Sequence, residues 1–384
     1  MAVGAPSTSA FLVLVGTRPE ALKLAPVMLD LARRGRRTVL VATGQHRELL
    51  AGAFAAFGLV PDHDLDIMRS VQTPAEIIGR LVPILARQFS QLRPAAVIVQ
   101  GDTASACAGA QAAAYARLPL AHVEAGLRSG DCEPFPEEMH RRVIGQLADV
   151  HFAPTAAARA ALLAEGVMPG AIHVTGNTGI DALHLMQHRL RHDTALAAAM
   201  VARFAAIDRR RPMILVTAHR RENHGRRLKA ILTAVKTLAV EADIVMPLHP
   251  SPAVSLPATA ALAGVAGVHL LPPLDYPAFV WLMGQATLVL TDSGGVQEEA
   301  PAVGVPVLVL RDVTERHEGV ASGNARLVGT DAATIIAAVR ALLQDAGALR
   351  RMSEPALPYG VGDASRQIGD VLEARFGKVQ MAAE

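Results

Sequence analysis

The chain is 384 residues long, which is enough for two domains of ordinary size, and 51% of its residues are hydrophobic. Charged residues make up 19%, and the formal net charge is only +2. The composition therefore excludes an intrinsically disordered chain and a strongly basic nucleic-acid-binding protein.

The cysteines and the apolar segments indicate the compartment. Cys107 and Cys132 have neither metal-ligand spacing nor a CxxC pattern, which fits a reducing compartment without a disulfide framework. The N-terminal residues lack the basic and apolar regions of a signal peptide, and no run of about 18 apolar residues occurs. We therefore predict a cytoplasmic protein whose partners include neither a membrane nor a nucleic acid.

Short apolar runs alternate with helical periodicity through the first half of the chain. The first strand is predicted at residues 11–15, and a helix with one apolar face is predicted at 21–33. Runs this short and this apolar are typical of strands that are buried on both faces of a parallel sheet. Five further strands are predicted at residues 38–42, 95–99, 120–123, 151–153 and 172–175.

The same alternation restarts in the second half. An alanine-rich, mostly helical segment at 180–206 connects the halves, and a breaker-rich segment at 355–359 precedes a last helix at 365–376. Because strands and helices alternate in both halves, each half is predicted to form a parallel, doubly wound α/β sheet. The strands of the second half are predicted at residues 213–217, 244–247, 268–270, 288–291 and 307–310.

Ligands of open parallel sheets bind outside the carboxyl ends of the strands, so the residues that follow each strand are the candidates for a site. After the first strand, Gly16 allows a tight turn, while Arg18 and Lys23 add positive charge at a helix N-terminus. This is a plausible diphosphate site, although an ordinary turn with surface charges fits as well. No GxGxxG follows any strand, so we predict no nicotinamide or flavin cofactor.

Three acidic positions follow strands or turns of the first half. They are Asp102, Glu124 and the pair Glu137 and Glu138. Helix capping is the alternative role for Asp102. Carboxylates that crowd into one cleft repel each other, so some of them hold a proton near pH 7. The set therefore indicates proton transfer.

Polar residues also follow the strands of the second half. His219 stands beside Arg220 at a strand end, where a neutral imidazole is placed to donate to a phosphate or a leaving oxygen. Ser293 and the two glycines after it form a second anion nest at a helix N-terminus. Glu299, one turn later, is placed to accept from ribose hydroxyls, and Arg316 follows the next strand. These residues predict a nucleotide diphosphate bound mainly by the second domain.

Nine motifs occur in one order along the chain: GTRPEALKLAPV, TGQHREL, QGDTASA, HVEAGLRSGD, PFPEEMHR, VTGNTGIDAL, AHRREN, TDSGGVQEEAP and RDVTERHEG. Together they resemble the non-hydrolysing bacterial UDP-N-acetylglucosamine 2-epimerase family, from about residue 12 to about residue 375. The resemblance implies a glycosyltransferase-B-like fold of two Rossmann-like domains with a cleft between them. It also implies a homodimer, a UDP-sugar substrate, and no metal or dissociable cofactor.

The reaction implied by the resemblance is reversible epimerisation at C2 of UDP-N-acetylglucosamine, by elimination of UDP through 2-acetamidoglucal and re-addition. The resemblance assigns proton transfer to Asp102, Glu124 and Glu137, and it places His219 at the diphosphate or the intermediate. The residues assigned to UDP binding are Arg18, Lys23, Arg220, Phe279, Ser293, Gly294, Gly295, Glu299 and Arg316.

Some members of that family carry a second, allosteric substrate site, and the resemblance assigns Gln45, His46 and His249 to it here. The domains are predicted as residues 1–178 with 362–384, and 179–361, the last helix packing back on the first domain. Three alternatives remain open. They are a relative that acts on another UDP-sugar or releases free sugar, a glycosyltransferase of the same fold, and a non-enzymatic nucleotide-sugar sensor.

Overall fold

The computed structural model describes residues 10–44, 47–67, 69, 72–132, 134–208 and 210–377, with 47–49 as backbone only. The chain forms two compact units. One takes in the described residues through Ala182 together with those from Tyr359 onward, and the other is Leu183–Pro358. The domain boundaries predicted from the sequence lie a few residues from these limits.

The first unit contains a seven-stranded sheet in the order β3-β2-β1-β4-β5-β6-β7. Every strand pair in it is parallel, so the carboxyl ends of all its strands lie along one edge. Its strands are β1 (Phe11–Val15), β2 (Thr38–Ala42), β3 (His63–Asp64), β4 (Ala96–Gln100), β5 (Leu120–Val123), β6 (Val150–Ala153) and β7 (Ile172–Val174).

Helices cover the sheet of the first unit, and one of them continues into the second unit. They are α1 (Arg18–Arg33), α2 (Arg47–Ala56), α3 (Pro74–Leu92), α4 (Ala104–Tyr115), α5 (Glu137–Leu147), α6 (Ala156–Ala164), α7 (Thr178–His192) and, near the C-terminus, α16 (Ala364–Phe376). The unit boundary falls inside α7.

The second unit repeats the plan with a parallel six-stranded sheet in the order β10-β9-β8-β11-β12-β13. Its strands are β8 (Met213–Thr217), β9 (Asp243–Pro247), β10 (Val268–Leu271), β11 (Leu288–Thr291), β12 (Val307–Val309) and β13 (Ala325–Leu327). Its helices are α8 (Thr194–Arg203), α9 (Arg226–Leu238), α10 (Pro252–Leu262), α11 (Tyr276–Gln285), α12 (Gly294–Ala302), α13 (His317–Ala321), α14 (Ala332–Gln344) and α15 (Ala346–Ser353).

Small side chains let α4 approach the sheet closely. This helix reads ASACAGAQAAAY, and most of its residues are buried. A β-carbon added at Gly109 would lie 2.4 Å from Cδ2 of Leu14 on β1. The helix begins at Ala104, directly after the turn that carries Asp102.

The last helix returns to the first unit. Ile368 and Leu372 of α16 are fully buried in a core that includes Phe11, Val13 and Leu24. The start of α16 is held by a polar contact to α7, where the buried carboxylate of Asp181 accepts hydrogen bonds from Ser365 N (2.8 Å) and Ser365 Oγ (2.6 Å).

The parallel α/β architecture of both halves agrees with the sequence prediction, and the predicted strands lie within a residue of those observed. The edge strands β3 and β13 were not predicted, because neither is a continuous apolar run: β3 is His-Asp and β13 is Ala-Arg-Leu. Among the described helices, no single one is long and apolar enough to cross a membrane, although the bent pair α14 and α15 meets that test when taken together.

Candidate active site

Asp102 lies where β4 ends, in the turn that leads into α4. Its carboxylate accepts from Nε of Arg141 at 2.7 Å and lies 2.6 Å from Nη2 of the same side chain. The capping role is taken by Thr103, whose hydroxyl oxygen accepts from Ala106 N at 3.0 Å. Because the cap is its neighbour, the Asp102 carboxylate is free of that role and is held at the sheet edge by a guanidinium.

Glu124 lies at the end of the adjacent strand β5. Its φ of 64° is in the left-handed region, which non-glycine residues rarely adopt and which is often found at functional sites. The Oε2 atom of Glu124 accepts from Nζ of Lys23 and from Nε2 of Gln100, the latter at 2.8 Å. The carboxylate is therefore paired with a cation from α1 and tied to the strand beside it.

The turn after Glu124 depends on a glycine. Gly126 has a φ of 87°, and a β-carbon there would lie 2.2 Å from the carbonyl oxygen of Ala158 on α6. Any side chain at this position would push α6 away from the sheet edge. The turn that carries Glu124 is therefore set by helix packing as well as by strand geometry.

Glu20 is a buried carboxyl between the Arg18 and Asp102 turns that was not among the predicted site residues. Its side chain accepts from Gly16 N (3.0 Å), Thr17 N (2.6 Å) and Thr17 Oγ1 (2.8 Å), and its other oxygen accepts from Thr103 Oγ1 (2.7 Å). Burial raises the pKa of Glu20 to about 7, although these hydrogen bonds oppose the change. The residue ties the β1–α1 turn to the β4–α4 turn.

The two acidic side chains at the start of α5 lie in different environments. Glu138 is buried and accepts from Nη1 of Arg141 at 2.9 Å and from Ser129 N at 3.2 Å. Glu137, the residue to which the resemblance assigns proton transfer, is half-buried at the first position of the helix. Arg141 thus joins Glu138 to Asp102, while Glu137 is the more accessible acid.

The predicted diphosphate site after β1 lies on the same edge of the sheet. Gly16 is required there, because a β-carbon would lie 2.2 Å from Oγ of Ser105 on α4. Arg18 is the first residue of α1 and is half-buried, and Lys23 is one turn further on. The first unit therefore presents Arg18, Lys23, Asp102 and Glu124 along the carboxyl ends of β1, β4 and β5.

In the second unit, a buried aspartate after β11 binds the residues that follow β8. Asp292 follows β11 and is 0% exposed. Its carboxylate accepts from the backbone N–H groups of His219 (2.9 Å) and Arg220 (2.9 Å) and from Nδ2 of Asn223 (2.9 Å). The residues predicted for this site after β8 are therefore positioned by an acid that was not predicted.

The imidazole of His219 also faces this aspartate, with Nδ1 at 3.2 Å from Oδ1 of Asp292. A carboxylate oxygen only accepts, so a proton on Nδ1 would make this contact favourable. Burial lowers the pKa of His219, although the Asp292 charge opposes this. The lowered pKa agrees with the neutral ring expected from the sequence, and its contact with a phosphate or a leaving oxygen stays a prediction.

His249, assigned by the resemblance to an allosteric site, lies against the same histidine. The rings of His219 and His249 are stacked, with centroids 5.4 Å apart and planes inclined by 12°. His249 is exposed and follows β9, the strand next to β8. The other two residues of that assignment, Gln45 and His46, lie outside the described residues.

The N-terminus of α12 is the place where the sequence predicts an anion nest. Ser293 is the N-cap residue, and its N–H donates to Oγ1 of Thr291 at 2.9 Å. A β-carbon at Gly294 would lie 3.1 Å from Cζ of Arg316 and 3.4 Å from Nη2 of Arg220, whereas Gly295 faces open space. Gly294 therefore lets two guanidiniums lie beside the first turn of the helix.

The arginines around this helix terminus are held by buried acids. Glu315 accepts from Nη1 of Arg311 and from Nη1 of Arg316, each at 2.7 Å, and Arg220 lies 3.4 Å from it. Burial alone would raise the pKa of Glu315, but the three guanidiniums outweigh it and hold that pKa far below its usual range. Arg316 also donates to Glu298 at 2.9 Å. The guanidiniums of these arginines are thus held in place by carboxylates of the protein itself.

Two further predicted residues lie on the helices of this edge. Glu299 is half-buried on α12, about one turn after the N-terminus. Phe279 is half-buried on α11, in the first turn after the N-cap Asp275. Their positions are compatible with contacts to a nucleoside.

Comparison with known proteins places this arrangement in a family. The model of the UDP-N-acetylglucosamine 2-epimerase family matches residues 30–373. The chain belongs to this family. It is 44% identical over 367 residues to the UDP-N-acetylglucosamine 2-epimerase of Escherichia coli (strain K12), covering 94% of this chain and 98% of that protein.

Solved structures agree with the sequence matches. A UDP-GlcNAc 2-epimerase from Neisseria meningitidis, in a crystal structure with bound UDP-GlcNAc, superposes with a TM-score of 0.92 at 40% identity, over 95% of this chain and all of that one. The enzyme from Methanocaldococcus jannaschii, in complex with UDP-GlcNAc and UDP, gives 0.84 at 31% identity, over 95% and 99% of the two chains. The predicted family and fold class are confirmed.

Two residues near the candidate site, Glu20 and Asp292, were not among those predicted from the sequence. Both stand inside motifs that carried the resemblance, and both hold the turns on which predicted site residues lie. Asp292 could have been found by the rule already applied to the other acids, since it directly follows a strand. Glu20 has capping-box spacing with Thr17, but the exposed Glu76 has the same spacing with Thr73, so this signal alone does not distinguish it.

Proposed function

We propose that the protein catalyses the reversible epimerisation of UDP-N-acetylglucosamine at C2, giving UDP-N-acetylmannosamine for cell-surface polysaccharide precursors. The observation that carries the proposal is the pair Asp102 and Glu124. These acids follow adjacent strands and are each held by a basic side chain, Arg141 and Lys23 respectively. Membership of an epimerase family explains why acids, rather than an acceptor-binding surface, occupy this edge.

The proposed chemistry is an elimination followed by an addition. A base removes the C2 proton, the electron pair forms the C1=C2 double bond of 2-acetamidoglucal, and the C1–O bond breaks with departure of UDP. UDP then adds back to C1 as a proton is delivered to the opposite face of C2. We assign these transfers to Asp102, Glu124 and Glu137, since two faces of one carbon need more than one proton-transfer group.

We assign UDP mainly to the second unit. Its diphosphate would accept from the N–H groups at the start of α12 and from the guanidiniums of Arg220 and Arg316. These donors would stabilise the charge that develops on UDP as it leaves. Glu299 would accept from the ribose hydroxyls, and Phe279 would lie against the uracil.

His219 is assigned to the phosphate region. Its Nδ1 lies 3.2 Å from Oδ1 of Asp292, so we assign proton uptake or hydrogen-bond acceptance to Nε2. Proton uptake at Nε2 would produce an imidazolium that Asp292 stabilises and that favours the departing diphosphate. On the first unit, Arg18 would supply a further positive charge.

The test is proton NMR of UDP-N-acetylglucosamine incubated with the protein in heavy water. Deuterium entering C2, together with a manno product that keeps its UDP, supports the epimerase. Free sugar with UDP would show a hydrolysing relative, and no exchange would point to another UDP-sugar or to transfer onto an acceptor. Asp102→Asn should abolish exchange, whereas Asp331→Asn, which alters the exposed N-cap of α14, should leave it unchanged.

The assembly and location stay predictions. We propose a homodimer, because the resemblance implies one, and a cytoplasmic protein. Analytical ultracentrifugation at micromolar concentration checks the first: a single species of the monomer mass, 40.3 kDa, would refute it. Cell fractionation with an antibody checks the second.

A further inference from the structure

Two buried histidines hold the turn that carries Asp102. We call this turn, made of Gly101, Asp102 and Thr103, the 101–103 turn. His122 Nε2 lies 2.8 Å from the carbonyl oxygen of Gly101, and His140 Nδ1 lies 2.8 Å from the carbonyl oxygen of Asp102. A carbonyl oxygen only accepts, so each of these nitrogens carries a proton and donates.

The two histidines come from different elements and use different ring nitrogens. His122 lies on β5 and His140 on α5, and each is 1% exposed. Their remaining nitrogens, His122 Nδ1 and His140 Nε2, are buried and have no hydrogen-bond partner among the described residues. Within that part of the chain, the hydrogen bonds of both rings therefore go to the 101–103 turn.

The turn is held at its side chains as well. Arg141, next to His140 on α5, binds the Asp102 carboxylate, and Glu20 binds the hydroxyl of Thr103. Gly101 has a φ of 70°, which glycine adopts readily, but glycine also has the largest conformational freedom to be restricted.

We propose that His122 and His140 are positioning residues for catalysis, which aim the Asp102 carboxylate by fixing the two carbonyls of its turn. The proposal rests on the proposed function, in which Asp102 transfers a proton. A misplacement of about 1 Å in a reacting group can cost on the order of a hundredfold in rate. Because buried rings hold both carbonyls, the turn cannot make the motions that would misplace the Asp102 carboxylate.

Burial supports this role chemically. It lowers the pKa of His122 to about 3, so the ring stays neutral across the working pH range and keeps a single tautomer once Nε2 donates to Gly101. A neutral donor holds the carbonyl without adding a charge beside the carboxylates of Asp102 and Glu124.

His122 donates from Nε2 and His140 from Nδ1, so the same two amide substitutions should have opposite effects at the two positions. The side-chain amide nitrogen of asparagine matches the position of histidine Nδ1, whereas that of glutamine reaches the position of Nε2. His140→Asn and His122→Gln should therefore keep kcat within about threefold, while His140→Gln and His122→Asn should lose about tenfold or more. KM and the affinity for UDP should change by less than about threefold in all four variants, because UDP is assigned mainly to the second unit.

His151 provides a matched control. It lies opposite His122 on the neighbouring strand β6 and is equally buried, at 1% exposed. None of its hydrogen bonds among the described residues goes to the 101–103 turn. His151→Asn and His151→Gln should lower the melting temperature but leave kcat within about threefold of wild type. A loss of kcat in these controls as large as in the mismatched variants would overturn the proposal, since packing alone would then explain it.

A second measurement separates this proposal from the proposed function. Amide hydrogen exchange of peptides spanning the turn should be faster in His140→Gln and His122→Asn than in the matched variants, with or without turnover. If wild type epimerises no UDP-sugar, the proposed function fails, and the exchange data still test the positioning. Equal exchange and equal kcat for the two amides at each position would refute the positioning role.

Discussion

Replacing Glu20 by glutamine removes a buried carboxyl whose protonation state should make the stability of the first unit depend on pH. The side chain is 1% exposed, and it accepts four hydrogen bonds, from Gly16, Thr17 and Thr103. Burial raises its pKa from the ordinary 4.5 to about 7, because the hydrogen bonds offset only part of the cost of burying the charge.

The sign and size of the effect follow from linkage. Between pH 4.5 and about 7 the folded chain keeps the Glu20 proton that the unfolded chain has lost. The unfolding free energy therefore falls as pH rises through this window, by about 3 kcal/mol in total at roughly 1.4 kcal/mol per pH unit. The Glu20→Gln variant lacks this dependence. The difference between its unfolding free energy and that of wild type should therefore rise by about 3 kcal/mol from acid to neutral pH.

The assay is urea unfolding of both proteins at several pH values between about 4.5 and 8. The single tryptophan, Trp281, lies on α11 of the second unit. A transition seen by circular dichroism but not by tryptophan fluorescence therefore belongs to the first unit. The infrared band of the protonated carboxyl, absent in Glu20→Gln, should disappear in wild type near pH 7.

Glu76 is the matched control. It makes the same kind of contact with the N-cap Thr73 of α3, at 2.7 Å to the backbone N–H, but it is exposed. Its hydrogen bond from that backbone group lowers the pKa of Glu76. The unfolding free energy of Glu76→Gln should therefore not rise relative to that of wild type as pH rises. A stability difference between Glu20→Gln and wild type that stays constant with pH would refute the reasoning.

Three further substitutions test the turns of the two sheet edges. Gly126→Ala should destabilise the protein by roughly 1–3 kcal/mol more than Gly166→Ala, because both have φ near 86° but only the first meets a backbone oxygen. Equal melting temperatures would contradict this. Gly294→Ala should weaken UDP binding about tenfold, or about 1.4 kcal/mol, by displacing the guanidinium beside it, and calorimetry with an unchanged affinity would contradict that. Asp292→Asn leaves buried N–H donors short of an acceptor, so thermal unfolding should show a loss of about 1–3 kcal/mol. An unchanged unfolding temperature would show that these hydrogen bonds contribute little.

Local patterns were enough to predict the architecture and the sheet edge on which the candidate acids of the first unit lie. Short apolar runs such as Phe11–Val15 form strands here, because a strand of a parallel sheet is buried on both faces and so carries apolar residues at successive positions. Since parallel strands share one carboxyl edge, the acids at Asp102 and Glu124 were expected at the same edge, and they lie there.

The partners of these side chains depend on sheet order, register and helix packing, which no local pattern contains. Lys23 meets Glu124 across 101 residues, and Asn223 meets Asp292 across 69. Glu20 reads as a surface cap like Glu76, yet it is buried and also accepts from Thr103, the N-cap residue of α4. Whether a carboxyl caps a helix in water or joins two turns in the interior is decided by which elements pack beside it, since packing determines both its donors and its exposure to solvent.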